Sequence, residues 1–393
     1  MRLMFCASGA VGHVLPMTAL STALSDGGHE IAWATSKSMF SYLQRDRITL
    51  LSVVNDIAEY RAKVMASAPK LATQSQREWS EQELAPKLFG LIAMECCDAL
   101  RAAVETWKPD ALIYETGAMA APIVAKLLGL PSIHHGFGIR RSSDRKARFA
   151  AAIAPIWRRH GLAPPESDTP GNSAFIDLTP PGIAADAATT ASEVFPMRPI
   201  HIARQPNEQR GTATSTEYEA GRKRPRVYLS FGTVQHKNPA LFHAARALAA
   251  LPIALYVTNT DSRLRAEIAA LGEHVVVHGF VNQSNLLTQA DYVVSHAGSG
   301  TCLGALAYGR PQLCLPQGAD QFFNADAIVA AGAGLSLDTH EQTDTLITQA
   351  MLRLFNESKF QTAAHSLATA ISKMPSAHEV ARQTVSYFAS ASV

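Results

Sequence analysis

Twice along this chain, short runs made wholly of apolar residues alternate with segments of helical periodicity, and that alternation constrains the fold more than any other feature. The first series opens with Leu3–Ala7, a loop of Ser8, Gly9, Ala10, Val11 and Gly12, and then Leu15, Leu20 and Leu24 at helical spacing before Gly27 and Gly28. Ile31–Ala34, Leu50–Val54, Ala111–Tyr114 and Ser132–Ile133 continue it, with an amphipathic stretch across Leu84, Leu88, Leu91, Ile92 and Met94 in between. A strand with one wet face alternates polar and apolar residues, whereas a strand covered on both faces does not. These runs therefore predict a parallel sheet with helices on both sides. A second series, Val227–Ser230, Ile253–Val257, Val275–Val277, Tyr292–Ser295, Gln312–Leu315 and Leu335–Leu337, repeats the arrangement. The fold class is α/β, with two doubly wound, Rossmann-like domains. Facing each other, such domains place a cleft at the carboxyl ends of their strands, where ligands bind.

With 393 residues, the chain is long enough for two domains of ordinary size. We place an N-terminal, acceptor-side domain at 1–205, a linker at 206–225, a C-terminal, donor-side domain at 226–375 and a closing helix at 376–393 that can pack back on the first domain. Residues 163–225, rich in Pro, Gly, Ala, Thr and charge, read as the irregular end of the first domain running into the linker. A net charge of +2 supplies no global field that recommends nucleic acid or an anionic membrane as a partner. Two basic runs, Arg140, Arg141, Arg145, Lys146 and Arg148, then Arg222, Lys223, Arg224 and Arg226, read as solvated loop or linker charge. The cysteines, Cys6, Cys96, Cys97, Cys302 and Cys314, form no C-x-x-C pair and mostly lie in apolar runs, which points to a reducing, cytoplasmic setting. No apolar stretch reaches the roughly 18 residues of a membrane span. The partners this implies are small molecules, and the state a monomer or homodimer.

The strongest local signal is Ser295-His296-Ala297-Gly298-Ser299-Gly300-Thr301, placed after an apolar strand and before a helix through Leu303 and Leu306. Glycines let the backbone approach a ligand closely, and the free amides of a helix N-terminus attract anions. Ser299 and Thr301 hydroxyls can add hydrogen bonds, and His296 can donate one or carry a charge. A diphosphate leaving group fits such a site without a metal, because fixed dipoles compensate its charge. A plain glycine-rich turn explains the pattern equally well on its own. A second small-residue loop, Ser230, Gly232 and Thr233, also follows a strand and can meet the same phosphates.

At this point the residues resemble the GT1-type glycosyltransferases of the GT-B fold, closest to the bacterial enzymes that glycosylate natural products. The carrying stretches are Gly12-His13-Val-Leu-Pro16, Gly279-Phe-Val-Asn-Gln283, the Ser295–Thr301 loop, and Gly309-Arg-Pro through Pro316-Gln-Gly-Ala-Asp320-Gln321-Phe-Phe-Asn324. The resemblance implies that Phe280 stacks on the donor base where the family has tryptophan, with Val281 and Gln283 at base and ribose. It implies that His296, Gly298, Ser299, Gly300 and Thr301 hold the diphosphate, and that Asp320 and Gln321 hydrogen-bond sugar hydroxyls. His13 matches the family's catalytic base, although spacing alone favours a capping or packing histidine. Glu115 stands where the base's acidic partner is usually aspartate, one methylene shorter. Gly12, Phe137 and His135 are the residues placed nearest the acceptor, among apolar candidates that include Met65, Trp79, Met94, Phe149 and Trp157.

The function this implies is an inverting transferase that moves a sugar from a TDP- or UDP-sugar to a hydroxyl of a small hydrophobic natural product. The nucleotide sugar is a co-substrate; no cofactor or metal is expected. A C-glycoside is a second outcome open to the same residues. A nucleotide-sugar-binding auxiliary subunit and a lipid-linked sugar transferase remain as alternatives. A sugar-nucleotide epimerase fits the Gly12-His13 start poorly, and Gly9-x-x-Gly12 lacks the dinucleotide fingerprint of dehydrogenases.

Overall fold

The structure, a computed structural model, describes residues 1–68, 77, 84–140, 143–166, 174–183, 191–199, 224–232, 238–279 and 281–391. The chain divides into two units, Met1–His201 together with Ser372–Val393, and Ile202–Ile371. Of the linker placed at 206–225, all but the last two residues lie outside the described residues.

In the first unit the elements run β1 (Arg2–Cys6), α1 (Val11–Asp26), β2 (Glu30–Thr35), α2 (Phe40–Leu43), β3 (Ile48–Ser52), α3 (Ile57–Ser67), α4 (Ala85–Trp107), β4 (Ala111–Glu115), α5 (Ala120–Leu128), β5 (Ser132–His135), α6 (Ser143–Arg159), β6 (Ala174–Asp177) and β7 (Val194–Pro196). The strands form one parallel sheet in the order β3-β2-β1-β4-β5-β6-β7. Leu3, Met4, Phe5, Leu112 and Ile113 are fully buried, as strands covered on both faces must be. Strand order reverses between β1 and β4, whose pairing sets Cys6 against Tyr114. The loops leaving these two strands therefore lie at the switch point where doubly wound sheets bind ligands.

Two strands, β6 and β7, fall in the stretch that the sequence marks as irregular. They have only four and three residues, and β7 ends in a proline, so neither carries a pattern long enough to stand out from its surroundings. Arg140 also departs from the solvated-charge reading. Its Nη1 lies 3.0 Å from Asp177 Oδ2, and its backbone amide donates to Thr179 Oγ1, which ties the loop after β5 to the end of β6.

The second unit runs β8 (Arg226–Ser230), α7 (Pro239–Ala249), β9 (Ala254–Thr258), α8 (Ser262–Ala269), β10 (Val275–His278), α9 (Gln283–Gln289), β11 (Tyr292–Ser295), α10 (Ser299–Ala307), β12 (Gln312–Cys314), α11 (Gln321–Ala330), β13 (Gly334–Ser336), α12 (Asp344–Asn356) and α13 (Lys359–Ser372). Its parallel sheet has the order β10-β9-β8-β11-β12-β13, reversing between β8 and β11. Helix starts are marked locally: Asn238, Asp261 and Asn282 each accept a first-turn amide with the side chain. Asn282, through the Ser284 amide, fixes the start of α9 in this way.

The last helix, α14 (Ala377–Ala391), belongs to the first unit, where it packs on α1 and β7. Phe195 meets Tyr387 edge-on at 6.1 Å, and the Arg198 amide donates to the Pro375 carbonyl, so the returning chain is held by both apolar and backbone contacts.

Candidate active site

In the first unit, candidate site residues gather at the β1/β4 switch point. Glu115, the last residue of β4, is fully buried, and three donors converge on its carboxylate. Oε1 accepts from the Ser8 amide at 2.8 Å, and Oε2 accepts from the Gly117 amide at 2.5 Å and from His13 Nδ1 at 2.7 Å. Burial is the largest influence on this carboxyl and would raise its pKa. The positive charge and hydrogen bond of His13, with the Ser8 and Gly117 amides, outweigh it and hold the pKa below the ordinary value. Glu115 is therefore ionised at neutral pH and only accepts. His13 must then carry its proton on Nδ1, which puts the lone pair of the neutral ring on Nε2, the configuration of a general base.

The ring is further fixed by packing. Phe137 stacks on His13 with centroids 4.4 Å apart, and Phe89 lies tilted at 5.4 Å. Gly117 has to be glycine for this arrangement, because a Cβ there would lie 2.6 Å from the Phe89 ring. Gly12 precedes the base in the first turn of α1, and a Cβ built on it meets nothing within 4 Å, so the helix presents open space beside His13. Pro16 has no N–H to give the Gly12 carbonyl, which leaves a backbone acceptor at the same place. His135 ends β5 beside Glu115, fully buried, with Nδ1 donating to the Gly136 carbonyl at 2.6 Å. Of the other apolar candidates, Phe149 and Trp157 are core, Met65 packs at the core's edge and Met94 is half exposed; Trp79 lies outside the described residues.

In the second unit, a separate group of candidate residues gathers at the β8/β11 switch point. Gly298 is the N-cap of α10 and has no side chain with which to cap it, so the amides of Ser299, Gly300 and Thr301 point out of an uncapped helix end. The backbone before it is strained: Ala297 takes φ 62, in the left-handed region that costs a residue with a Cβ on the order of 1 kcal/mol. His296 is buried between the two loops. A Cβ on Gly232 would come within 2.9 Å of its ring and one on Gly298 within 2.7 Å, so both positions require glycine. Burial, opposed by the Asp320 charge and the Ser230 backbone, pushes the His296 pKa down to about 4. With no ligand charge beside it, the ring is a neutral hydrogen-bonding group near pH 7. Substituting Gly298 with alanine is expected to displace the ring and weaken nucleoside diphosphate binding roughly tenfold, the cost of about one charge-assisted hydrogen bond. Calorimetric titration with TDP reads this directly, and an unchanged affinity would contradict the packing argument.

Asp320 and Ser299 are linked rather than independent. Ser299 Oγ donates to Asp320 Oδ2 at 2.7 Å, so that hydroxyl proton is engaged by the protein and not offered to a phosphate. Asn324, fully buried, donates from Nδ2 to the same carboxylate oxygen and to the Ala297 carbonyl, clamping the phosphate loop to the start of α11. Gln321 turns its oxygen inward to the Gln317 and Gly318 amides at 2.7 and 3.0 Å, which leaves its NH2 end as the part that can meet a ligand. Val281 packs on a cluster containing Tyr228, Leu286 and Leu287, and Gln283 donates to Thr301 Oγ1 at 3.0 Å. Phe280 and Thr233 lie outside the described residues. The sequence reading assigned no role to Asn324, Phe89 or Gly117. Asn324 stands within the family-like stretch and was open to notice; the roles of Phe89 and Gly117 depend on which chain segments meet. Among the described residues no group of three His, Cys, Asp or Glu is placed to hold a metal ion, and no helix is long and apolar enough to cross a membrane.

The two buried histidines give a stability prediction. His135 and His296 are each pushed down to about 4 by burial, from an ordinary 6.5. Between those values the unfolded chain binds protons that the native chain does not, so stability falls as pH is lowered from about 6.5 towards 4. The loss is on the order of 3 kcal/mol per histidine at the limit. The depressed carboxyl of Glu115 acts with the same sign at the acid end. Thermal unfolding followed from pH 7 to pH 5 should show a falling Tm; a flat profile would contradict the burial of these rings as neutral groups.

Two parallel-sheet Rossmann-like units, with the relatives and solved structures that match them, make the chain a GT-B glycosyltransferase. It belongs to the erythromycin biosynthesis protein CIII-like family, whose N-terminal domain matches residues 22–232 and whose C-terminal domain matches residues 248–387. The elloramycin glycosyltransferase ElmGT of Streptomyces olivaceus is 29% identical over 97% of this chain and 96% of its own. The 10-deoxymethynolide desosaminyltransferase of Streptomyces venezuelae is 25% identical over 93% and 92%. Among solved structures, the glycosyltransferase SsfS6 of Streptomyces sp. SF2575, complexed with thymidine diphosphate, superposes with a TM-score of 0.77 at 25% identity, covering 98% of this chain and 99% of that one.

Proposed function

We propose that this glycosyltransferase moves a sugar or deoxysugar from a TDP- or UDP-sugar to a hydroxyl of a small hydrophobic natural product, in one inverting displacement with His13 as general base and without a metal. The observation that carries the reading is the 2.7 Å bond between His13 Nδ1 and a fully buried carboxylate, which leaves Nε2 as the basic nitrogen. In the reaction, Nε2 takes the acceptor's hydroxyl proton while the hydroxyl oxygen attacks the anomeric carbon. The bond from that carbon to the diphosphate oxygen breaks, and the leaving charge is met by the Ser299, Gly300 and Thr301 amides and the dipole of α10. Fixed dipoles supply there the compensation that a divalent cation would otherwise supply, which supports a metal-independent mechanism. A single displacement of this kind inverts the anomeric centre.

Asp320 and the NH2 end of Gln321 serve the sugar hydroxyls. The thymidine diphosphate in SsfS6 favours a TDP-linked donor, and the aromatic packing around His13 suits a flat, apolar acceptor. The five cysteines, all buried and none in a disulfide, agree with a cytoplasmic enzyme.

Thermal stability with TDP, UDP, GDP and NAD tests the donor site. A nucleotide at about 100 times its Kd stabilises the native state by about 2.7 kcal/mol. A shift with TDP or UDP and none with NAD is the expected outcome. The absence of a shift with every nucleoside diphosphate would overturn the donor reading.

A further inference from the structure

Behind the phosphate loops lies a chain of polar side chains that the mechanism above does not use. It is a product of strand pleating. Tyr228 and Ser230 are two residues apart on β8 and share one face of the sheet, and Thr258 on β9 is the register partner of Ser230. The three hydroxyls therefore stand together. Tyr228 OH lies 3.0 Å from Thr258 Oγ1, and Thr258 Oγ1 donates to Ser230 Oγ at 3.0 Å. Ser230 Oγ also accepts from the Gly232 amide at 3.2 Å. At the other end, Gln283 Nε2 donates to Thr301 Oγ1 at 3.0 Å and to Tyr228 OH at 3.4 Å.

Counting protons gives this chain a direction. Each hydroxyl owns one hydrogen. Thr258 gives its hydrogen to Ser230, so towards Tyr228 it can only accept. Tyr228 accordingly gives its hydrogen to Thr258 and accepts from Gln283. The Gln283 amide group has two hydrogens and both are engaged, one on each branch. Two hydroxyl hydrogens remain unassigned inside the network, those of Ser230 and Thr301. These are the residues at the ends of the two branches, one closing β8 and one in the first turn of α10.

We infer that Tyr228 and Thr258 are positioning residues, which with Gln283 orient the Ser230 and Thr301 hydroxyls as a matched pair of donors for the donor's diphosphate. The inference rests on the donor-site reading above and deepens it. An isolated serine hydroxyl rotates among three wells, two of which aim its proton elsewhere. With two lone pairs occupied by the Thr258 hydroxyl and the Gly232 amide, the Ser230 hydrogen has one direction left. Gln283, through its two NH2 hydrogens, joins the two branches.

The test compares nucleoside diphosphate with nucleoside, using calorimetry on the full chain with TDP or UDP, whichever the wild type binds, and with the matching nucleoside. Thr258→Val removes the link to Ser230, and Ser230→Ala removes its end. Each is expected to weaken diphosphate binding roughly tenfold, as for one charge-assisted hydrogen bond. The nucleoside, which has no phosphates, should bind these variants as it binds the wild type. The double variant should be no weaker than Ser230→Ala alone, and Thr258→Ser should restore wild-type affinity. Tyr228→Phe, which keeps the ring in the core, gives the same selective loss and stands in should Thr258→Val not fold. Additive losses, or equal losses for nucleoside and diphosphate, would overturn the relay. A wild type that binds no nucleoside diphosphate would overturn the donor reading itself, whereas a binding wild type with unaffected variants overturns the relay alone.

Discussion

Replacing His13 with alanine is expected to lower the rate of sugar transfer by a factor on the order of 10² to 10⁴, the usual contribution of a positioned general base. Nucleoside diphosphate affinity should stay within about twofold of wild type, because the ring belongs to one unit and the phosphate loop to the other. The side chain is stacked on Phe137 and only partly exposed, so alanine leaves a cavity at the start of α1. His13→Gln, which fills more of that volume without offering a base, separates lost packing from lost chemistry. Single-turnover transfer, with TDP affinity measured in parallel, checks the expectation. A His13→Gln enzyme with near wild-type turnover would remove His13 from the mechanism.

The second large effect belongs to Glu115→Gln. Three donors point at this carboxylate, from Ser8, Gly117 and His13, and a glutamine has one oxygen to receive them. With its NH2 towards Ser8, one buried amide is confronted by a donor. With its NH2 towards His13, the Gly117 amide is confronted instead, and the imidazole has to move its proton to Nε2, where it can no longer act as a base. Either arrangement costs about 1–3 kcal/mol of stability through a mispaired buried group. The second also costs catalysis, and the same tautomer change in a serine protease triad lowers kcat about 10⁴-fold. We expect Glu115→Gln to lose at least about 10²-fold in kcat with little change in donor affinity. Glu115→Asp keeps the charge and the acceptor count, and should retain more activity than the glutamine. The order of the two variants in kcat is the readout; glutamine as active as aspartate would show that the charge does not matter.

How these features showed in the sequence depended on the range of the interaction behind them. Burial of a strand on both faces is written in consecutive residues, so Leu3–Ala7 or Tyr292–Ser295 can be read directly as strands. The uncapped end of α10 is also local, since Gly298, Ser299 and Thr301 are neighbours in sequence. β6 and β7 were hidden because strands of three or four residues at the end of a sheet carry almost no periodicity. The His13–Glu115 bond joins residues 102 positions apart, and only the reversal of strand order between β1 and β4 brings them together. Resemblance pointed to the pair, but the extra methylene of glutamate left its geometry open until the Ser8 and Gly117 amides were seen to fix the carboxylate. Ser299 and Gln321 teach the complementary lesson. Their residue types suit a ligand, yet one hydroxyl is taken by Asp320 and one amide oxygen by the Gln317–Gly318 backbone, and no spacing rule reveals such internal claims.

Metal-independent, inverting transfer by a histidine base and an amide-lined diphosphate site is tested most directly by the transfer reaction in excess chelator, with a TDP-linked hexose of known anomeric configuration and a small apolar acceptor carrying one hydroxyl, the product's anomeric configuration being read by NMR. The expected product is a glycoside of opposite configuration, formed at the same rate with and without chelator. Retention of configuration, or a rate that collapses when divalent cations are removed, would contradict it.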